Sequence, residues 1–159
     1  MSGRAPALLL LAAAAGALGA ALIAQFGFGL EPCHLCTLQR IPYAFAAIVA
    51  ALAAIEADHR GRAMLLGLCG ATFATGAGLA VFHVGVEAHW WESACSGGEK
   101  LADSASGLLA KLSAGKAAPQ CDSVPFALFG VSIAGMNLIA SLILALVSAQ
   151  ATRRAWRSA

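Results

Sequence analysis

Four uncharged, mostly apolar stretches divide the chain, at 7–28, 41–55, 63–86 and 123–152, and the charged residues gather between and beyond them. Three of them reach the roughly 20 residues that a helix rising about 1.5 Å per residue needs to cross a hydrocarbon core of about 30 Å. The stretch at 41–55 reaches that length only if its helix extends backward through Arg40 to Cys36. The pattern predicts spans at 7–28, 36–56, 63–86 and 125–149, joined on one side by loops at 29–35 and 87–124. Arg40 then falls at the membrane boundary or just inside it. Pro42 is open to two readings: a kink inside the second helix, or the start of that helix after a loop. Small residues at Ala12, Gly16 and Ala20 are expected to form a close-packing face on the first span.

The fold class expected is therefore an all-α integral membrane protein, a single four-transmembrane-helix bundle. Composition agrees, since 60% of the 159 residues are hydrophobic and only 11% are charged, far from the soluble balance. The net charge of +2 gains meaning from where the charges fall. Arg4, Arg60, Arg62, Arg153, Arg154 and Arg157 share one side, which the positive-inside rule makes cytoplasmic, together with both termini. Glu31, Glu87, Glu92, Glu99, Asp103 and Asp122 lie on the other side, against Lys100, Lys111 and Lys116. A cleaved signal peptide is the rival reading of the amino terminus. It is disfavoured because the first apolar run is longer than an ordinary h-region and four spans give a consistent charge pattern. The lipid bilayer is the expected surroundings, and no nucleic-acid partner is expected.

The long outer loop carries Trp90 and Trp91, which suit a membrane interface. Within it, residues 99–112 place Leu101, Ala105, Leu108, Leu109 and Leu112 at helical spacing, predicting a short amphipathic helix on the bilayer surface. Flanking Gly and Ser residues leave the loop's two cysteines, Cys95 and Cys121, on arms able to reach a partner.

Candidate chemistry enters with the cysteines. Four of the five face the outer side, as one close pair, Cys33 and Cys36 in CHLCTLQR, and one distant pair, Cys95 and Cys121. Disulfide exchange proceeds by thiolate attack on a disulfide sulfur, so two pairs within reach can pass an electron pair in sequence. A redox pair at a membrane edge needs a lipid-soluble electron partner, and a quinone fits that need. A helix start near Cys33 would lower a thiol pKa, and Arg40, at the i+4 position from Cys36, could pair with the Cys36 thiolate. Other readings are weaker. A closed zinc site needs four ligands and no second C-x-x-C supplies them, so no metal is expected; CHLC also lacks the order of a haem attachment motif. A purely structural Cys95–Cys121 bridge in a tetraspan scaffold gives no use to a cation beside Cys36. Cys69 reads as a small buried hydrophobe, His59 and His89 as surface residues, and His34, between the two cysteines, either as a residue that tunes their redox potential or as a solvated filler.

Together, C-x-x-C with Arg40, the FHVGVE stretch at 82–87, CDSVPFALFG at 121–130 and four spans resemble the DsbB family over nearly the whole chain. That family comprises membrane oxidases that regenerate the periplasmic disulfide donor DsbA with quinone. The resemblance implies redox-active disulfides Cys33–Cys36 and Cys95–Cys121 and a thioredoxin-fold, DsbA-like periplasmic partner. It further implies a location in the bacterial inner membrane, with the cysteine loops facing the periplasm. It implies a sequence of steps in which the reduced partner attacks at Cys95, Cys121 attacks Cys33, and the freed Cys36 thiolate meets ubiquinone or menaquinone, held by Arg40. His83 either donates a hydrogen bond to a quinone carbonyl or serves in packing or capping. The vitamin K epoxide reductase family is the related alternative, and the separate loop pair with CDSVPFALFG favours the first resemblance.

Overall fold

The computed structural model describes residues 4–91, 121, 122, 124 and 127–157. Four helices form the protein: α1 (Ala5–Gly27), α2 (His34–Ile55), α3 (His59–Glu87) and α4 (Ile133–Arg157). Each is long and apolar enough to cross a membrane. A hairpin of two short strands, β1 (Ala127–Leu128) and β2 (Val131–Ser132), precedes α4. The expected amphipathic helix at 99–112 and Cys95 lie outside the described residues.

Local chemistry sets the helix ends. Cys33 is the N-cap of α2, with extended backbone (φ −68°, ψ 171°) and a sulfur that accepts the Cys36 N–H. The helix then runs from His34 to Ile55 with Pro42 inside it, so Pro42 does not start this helix. Asp58 caps α3 by accepting the Gly61 N–H at 2.7 Å, so this helix starts at His59, ahead of the apolar run. At the far end of α3 the N–H groups of His89 and Trp90 bond back to Val86 and Gly85. His89 takes the left-handed φ of 56° that such a C-terminal cap demands of the residue after the helix.

The fourth helix starts at Ile133 and reaches Arg157, whereas hydropathy alone placed a span at 125–149. Phe129 and Gly130 have φ of 52° and 80°, closing a two-residue turn that pairs Ala127 with Ser132 and Leu128 with Val131. Consecutive positive φ values suit a tight hairpin and cannot continue a right-handed helix. Ser132 then caps α4, its hydroxyl oxygen accepting the Gly135 N–H at 3.1 Å.

Helix α3 packs most extensively against α4 and then α2, and α1 lies mainly along α2. Small residues allow the close approach. A Cβ on Gly76 would lie 3.4 Å from the Pro42 ring and 3.5 Å from the Ser141 hydroxyl, so α2, α3 and α4 meet at this glycine. The core between the helices holds Leu10, Tyr43, Ala46, Val49, Leu66, Cys69, Phe73 and Leu144, with Tyr43 edge-on to Phe73 at 5.7 Å. Cys69 is fully buried there, as its placement among apolar neighbours predicts. Large apolar residues such as Ile23, Phe26, Ile48, Ile55, Ile143 and Leu146 point outward, as lipid contact requires. On α1 the buried stripe is Ala7, Leu10 and Ala14. Ala12, Gly16 and Ala20 are exposed. The expected face therefore looks away from the bundle: smallness permits close packing but does not direct it.

Arg62 is buried at the α2–α3 turn, donating from Nε to the Ala53 carbonyl at 3.3 Å and from Nη2 to the Glu56 carbonyl. It thus satisfies carbonyls that α2 leaves unpaired at its C-terminus. At the opposite end of α3, Trp91 stacks on Phe82 at 5.6 Å and donates its indole N–H to the Phe82 carbonyl at 3.0 Å. A Cβ on Gly85 would lie 1.9 Å from the Trp91 ring. Gly85→Ala should therefore expel the indole, red-shift tryptophan emission and cost about 1–3 kcal/mol in thermal unfolding in detergent. Gly16→Ala, where nothing lies within 4 Å, should leave both unchanged or be slightly stabilising. Native-like melting of Gly85→Ala would contradict the packing described.

Candidate functional site

The end of the bundle where α2 starts and α3 finishes gathers the thiol chemistry. Cys33, Leu35, Val86 and Cys121 form one buried cluster, with Cys36 and Leu38 packed against it. Cys33, Cys36 and Cys69 are free thiols, and Cys121 is disulfide-bonded. The fold therefore packs the close pair against one member of the distant pair. Cys95 lies outside the described residues.

Cys33 stands where the N-terminal N–H groups of α2 converge. Its sulfur lies 2.9 Å from the Cys36 sulfur and accepts the Cys36 N–H at 3.2 Å, and the His83 Nε2 lies 3.7 Å away. Thr37 bonds the Cys33 carbonyl through both its N–H and its hydroxyl, fixing the cap. The donated Cys36 thiol lowers the Cys33 pKa to about 4. Burial works against that shift, and the His83 ring and the Cys36 N–H add to it. In the dithiol state the negative charge thus belongs to Cys33 and the proton to Cys36.

His83 is nearly buried on α3, and its Nε2 lies 4.0 Å from the Glu87 carboxylate one turn on. A backbone hydrogen bond also joins its ring to Cys121. Glu87 in turn accepts the Ser132 hydroxyl, tying α3 to the cap of α4. The Nδ1 side of the imidazole meets the Gln39 side-chain amide at 2.8 Å. Gln39 continues to Asn137, and Asn137 to Tyr43 and Ser141. His83 thus lies beside the Cys33 sulfur, between that sulfur and Gln39.

Arg40 is half-buried one helical turn beyond Cys36. Its guanidinium donates to Gln25 Oε1 at 2.6 Å and to the Ala21 carbonyl at 3.5 Å, so α1 holds this cation at the membrane edge. Its described hydrogen bonds go to α1 and not to the Cys36 sulfur. An arginine carries five N–H donors, so the group retains capacity for an oxygen ligand. Cys33, Cys36 and His83 bring three soft donor atoms within 4.8 Å of one another. A closed tetrahedral zinc site takes four, and among the described residues only these three converge.

Sequence reasoning found the cysteines, Arg40 and His83, but not Gln39, Tyr43, Asn137, Ser141, Glu87 or Gln25. A signal was present: Gln39 and Tyr43, His83 and Glu87, and Asn137 and Ser141 are each polar pairs at i, i+4 in apolar helices. Such spacing places both members on one helix face.

Comparison with known proteins meets this geometry. The family model for disulfide bond formation protein DsbB matches residues 3–151. A disulfide bond formation protein B of Chromohalobacter salexigens is 32% identical over 154 residues, covering 92% of this chain and 88% of its own. One from Methylobacillus flagellatus is 32% identical over 143 residues, covering 87% and 86%. One from Chromobacterium violaceum is 53% identical over 49 residues, about a third of each chain (31% and 30%). No solved structure matches the chain. A match over nearly the whole length, on a four-span bundle that gathers cysteines at one end, means that this chain belongs to the DsbB family of disulfide bond formation proteins.

Proposed function

We propose that the protein is a membrane thiol:quinone oxidoreductase that reoxidises a periplasmic, thioredoxin-fold DsbA-like dithiol and delivers the electron pair to a membrane quinone. The observation that carries this reading is the packing of the free Cys33–Cys36 pair against disulfide-bonded Cys121, at one end of a transmembrane bundle. A structural staple needs one disulfide; a relay needs two pairs in contact.

In this reading the partner's thiolate attacks the Cys95–Cys121 disulfide at Cys95, releasing Cys121. The Cys121 thiolate then attacks Cys33 in an oxidised Cys33–Cys36 pair, and the electron pair of the broken bond leaves on Cys36. The N-terminal N–H groups of α2 favour negative charge at this point. The partner's second thiolate then displaces Cys95 and leaves as a disulfide, and Cys95 re-forms its bond with Cys121 by displacing Cys33, so that Cys33 and Cys36 are left as a dithiol. A quinone, when bound, would take two electrons and two protons as that pair closes to a disulfide, and leave as quinol. Arg40, anchored by Gln25 beside outward-facing Ile41 and Phe45, offers a guanidinium N–H to a ring oxygen at the lipid boundary. The chain would form a single domain in a bacterial inner membrane, with loops 29–35 and 87–124 in the periplasm and both termini in the cytoplasm. The arginines at 60, 62, 153, 154 and 157 support that orientation.

With a reduced DsbA-like protein and a soluble ubiquinone or menaquinone analogue, the purified protein should consume quinone catalytically, followed by ultraviolet absorbance. Cys36→Ser should abolish turnover. Quinone left unconsumed by well-folded protein with either analogue would contradict the reading. Arg40→Gln should raise the quinone KM about 10–100-fold, since a hydrogen bond from a charged donor is worth about 1.5–3 kcal/mol.

The low Cys33 pKa gives a separate expectation. A pKa of about 4 leaves Cys33 as thiolate throughout the neutral range. Alkylation of the reduced protein by iodoacetamide should label Cys33 first and at a rate nearly constant from about pH 6 to 8. An ordinary thiol would show a rate rising about tenfold per pH unit there.

A further inference from the structure

Five polar side chains lie in a row inside the bundle, where an unpartnered polar group is expensive. They come from three helices: Gln39 and Tyr43 from α2, His83 from α3, Asn137 and Ser141 from α4. Gln39, His83 and Ser141 are buried. The row ends at the Cys33 sulfur.

The row has a direction. The Tyr43 hydroxyl donates to Asn137 Oδ1 at 2.7 Å and lies 3.0 Å from the Ser141 hydroxyl, which also faces Oδ1 at 3.4 Å. With its oxygen so engaged, Asn137 turns its NH2 to Gln39 Oε1. Gln39 must then present its own NH2 to His83, and its Nε2 lies 2.8 Å from Nδ1. Each primary amide has one accepting and one donating end, so the orientation passes along the row unchanged. A donor facing Nδ1 requires a lone pair there, and a neutral imidazole then carries its hydrogen on Nε2. Nε2 is the atom facing the Cys33 sulfur at 3.7 Å and the Glu87 carboxylate at 4.0 Å, both acceptors.

We propose that Tyr43, Asn137 and Gln39 lock His83 in the Nε2–H tautomer, so that His83 acts as a hydrogen-bond donor to the Cys33 thiolate and not as the base that removes its proton. Gln39 and Asn137 are then positioning residues, acting on the sulfur through an imidazole. The proton of the reduced pair stays with Cys36, whose sulfur lies 2.9 Å from that of Cys33. The tautomer follows from geometry alone; its use in catalysis rests on the thiol–quinone reading.

Nitrogen-15 spectra of the reduced full-length protein in nanodiscs, with labelled histidine and His83 assigned by its loss in His83→Asn, test the lock without any quinone. A hydrogen-bearing Nε2 and a bare Nδ1 are expected; a hydrogen on Nδ1, alone or together with Nε2, would overturn the proposal. A second readout is the pH midpoint of Cys33 alkylation, located by fragment mass spectrometry. The titratable groups facing this sulfur are Cys36 on α2 and His83 on α3, and Glu87 on α3 faces the His83 ring. None of them is altered in Gln39→Leu or Asn137→Leu. Both variants should move the midpoint upward by about one pH unit, a tenfold fall in thiolate below it. Native midpoints in both would overturn the proposal. Failure of quinone turnover alone would bear on the proposed function and leave these two readouts standing.

Discussion

Inside a bilayer a polar group finds its partner within the protein or goes without, and that constraint organises this molecule. Large apolar side chains face outward on all four helices. Gln39, Tyr43, His83, Asn137 and Ser141 turn inward and satisfy one another across α2, α3 and α4. Their convergence needs close helix contact, which Gly76 permits by letting Pro42 and Ser141 approach to within 3.4 and 3.5 Å of where its Cβ would be. The same row that holds the helices in register ends at the sulfur where the chemistry is proposed to occur. Packing and reactivity are thus two consequences of one polar network.

The two ends of the bundle use helix termini differently. At the α2–α3 turn, Arg62 covers carbonyls at the C-terminus of α2, and Asp58 covers the N-terminus of α3. These contacts close a tight hairpin. At the other end the N-terminus of α2 is covered by a cysteine sulfur, a weak acceptor as a thiol and a stronger one as a thiolate. Capping the helix and stabilising the thiolate are therefore the same interaction. A serine at that position would cap as well and do no redox chemistry.

Hydropathy and charge were sufficient for the four spans because a bilayer demands long apolar helices. The close cysteine pair was legible because its spacing is short and local. Features set by tertiary contacts were not. The face of α1 that packs is decided by its neighbours, so Ala12, Gly16 and Ala20 misled while Ala7, Leu10 and Ala14 are buried. The start of α4 is fixed by positive φ at Phe129 and Gly130, and a phenylalanine gives no hint of that conformation. Arg40 has the i+4 spacing to face Cys36, yet Gln25 of another helix draws its guanidinium toward α1. Gln39 and Asn137 passed unread because a single amide in an apolar run looks incidental until its partner, far along the chain, is brought beside it.

The central claim is that the Cys33 sulfur and Cys121 are close enough to exchange. Its most direct measurement is disulfide mapping of a Cys36→Ser, Cys95→Ser double variant, purified without reductant, digested and analysed by mass spectrometry. The account predicts a Cys33–Cys121 bond in most molecules, with Cys69 left as a thiol. Cys33 and Cys121 both recovered as free, alkylatable thiols in folded protein would contradict it.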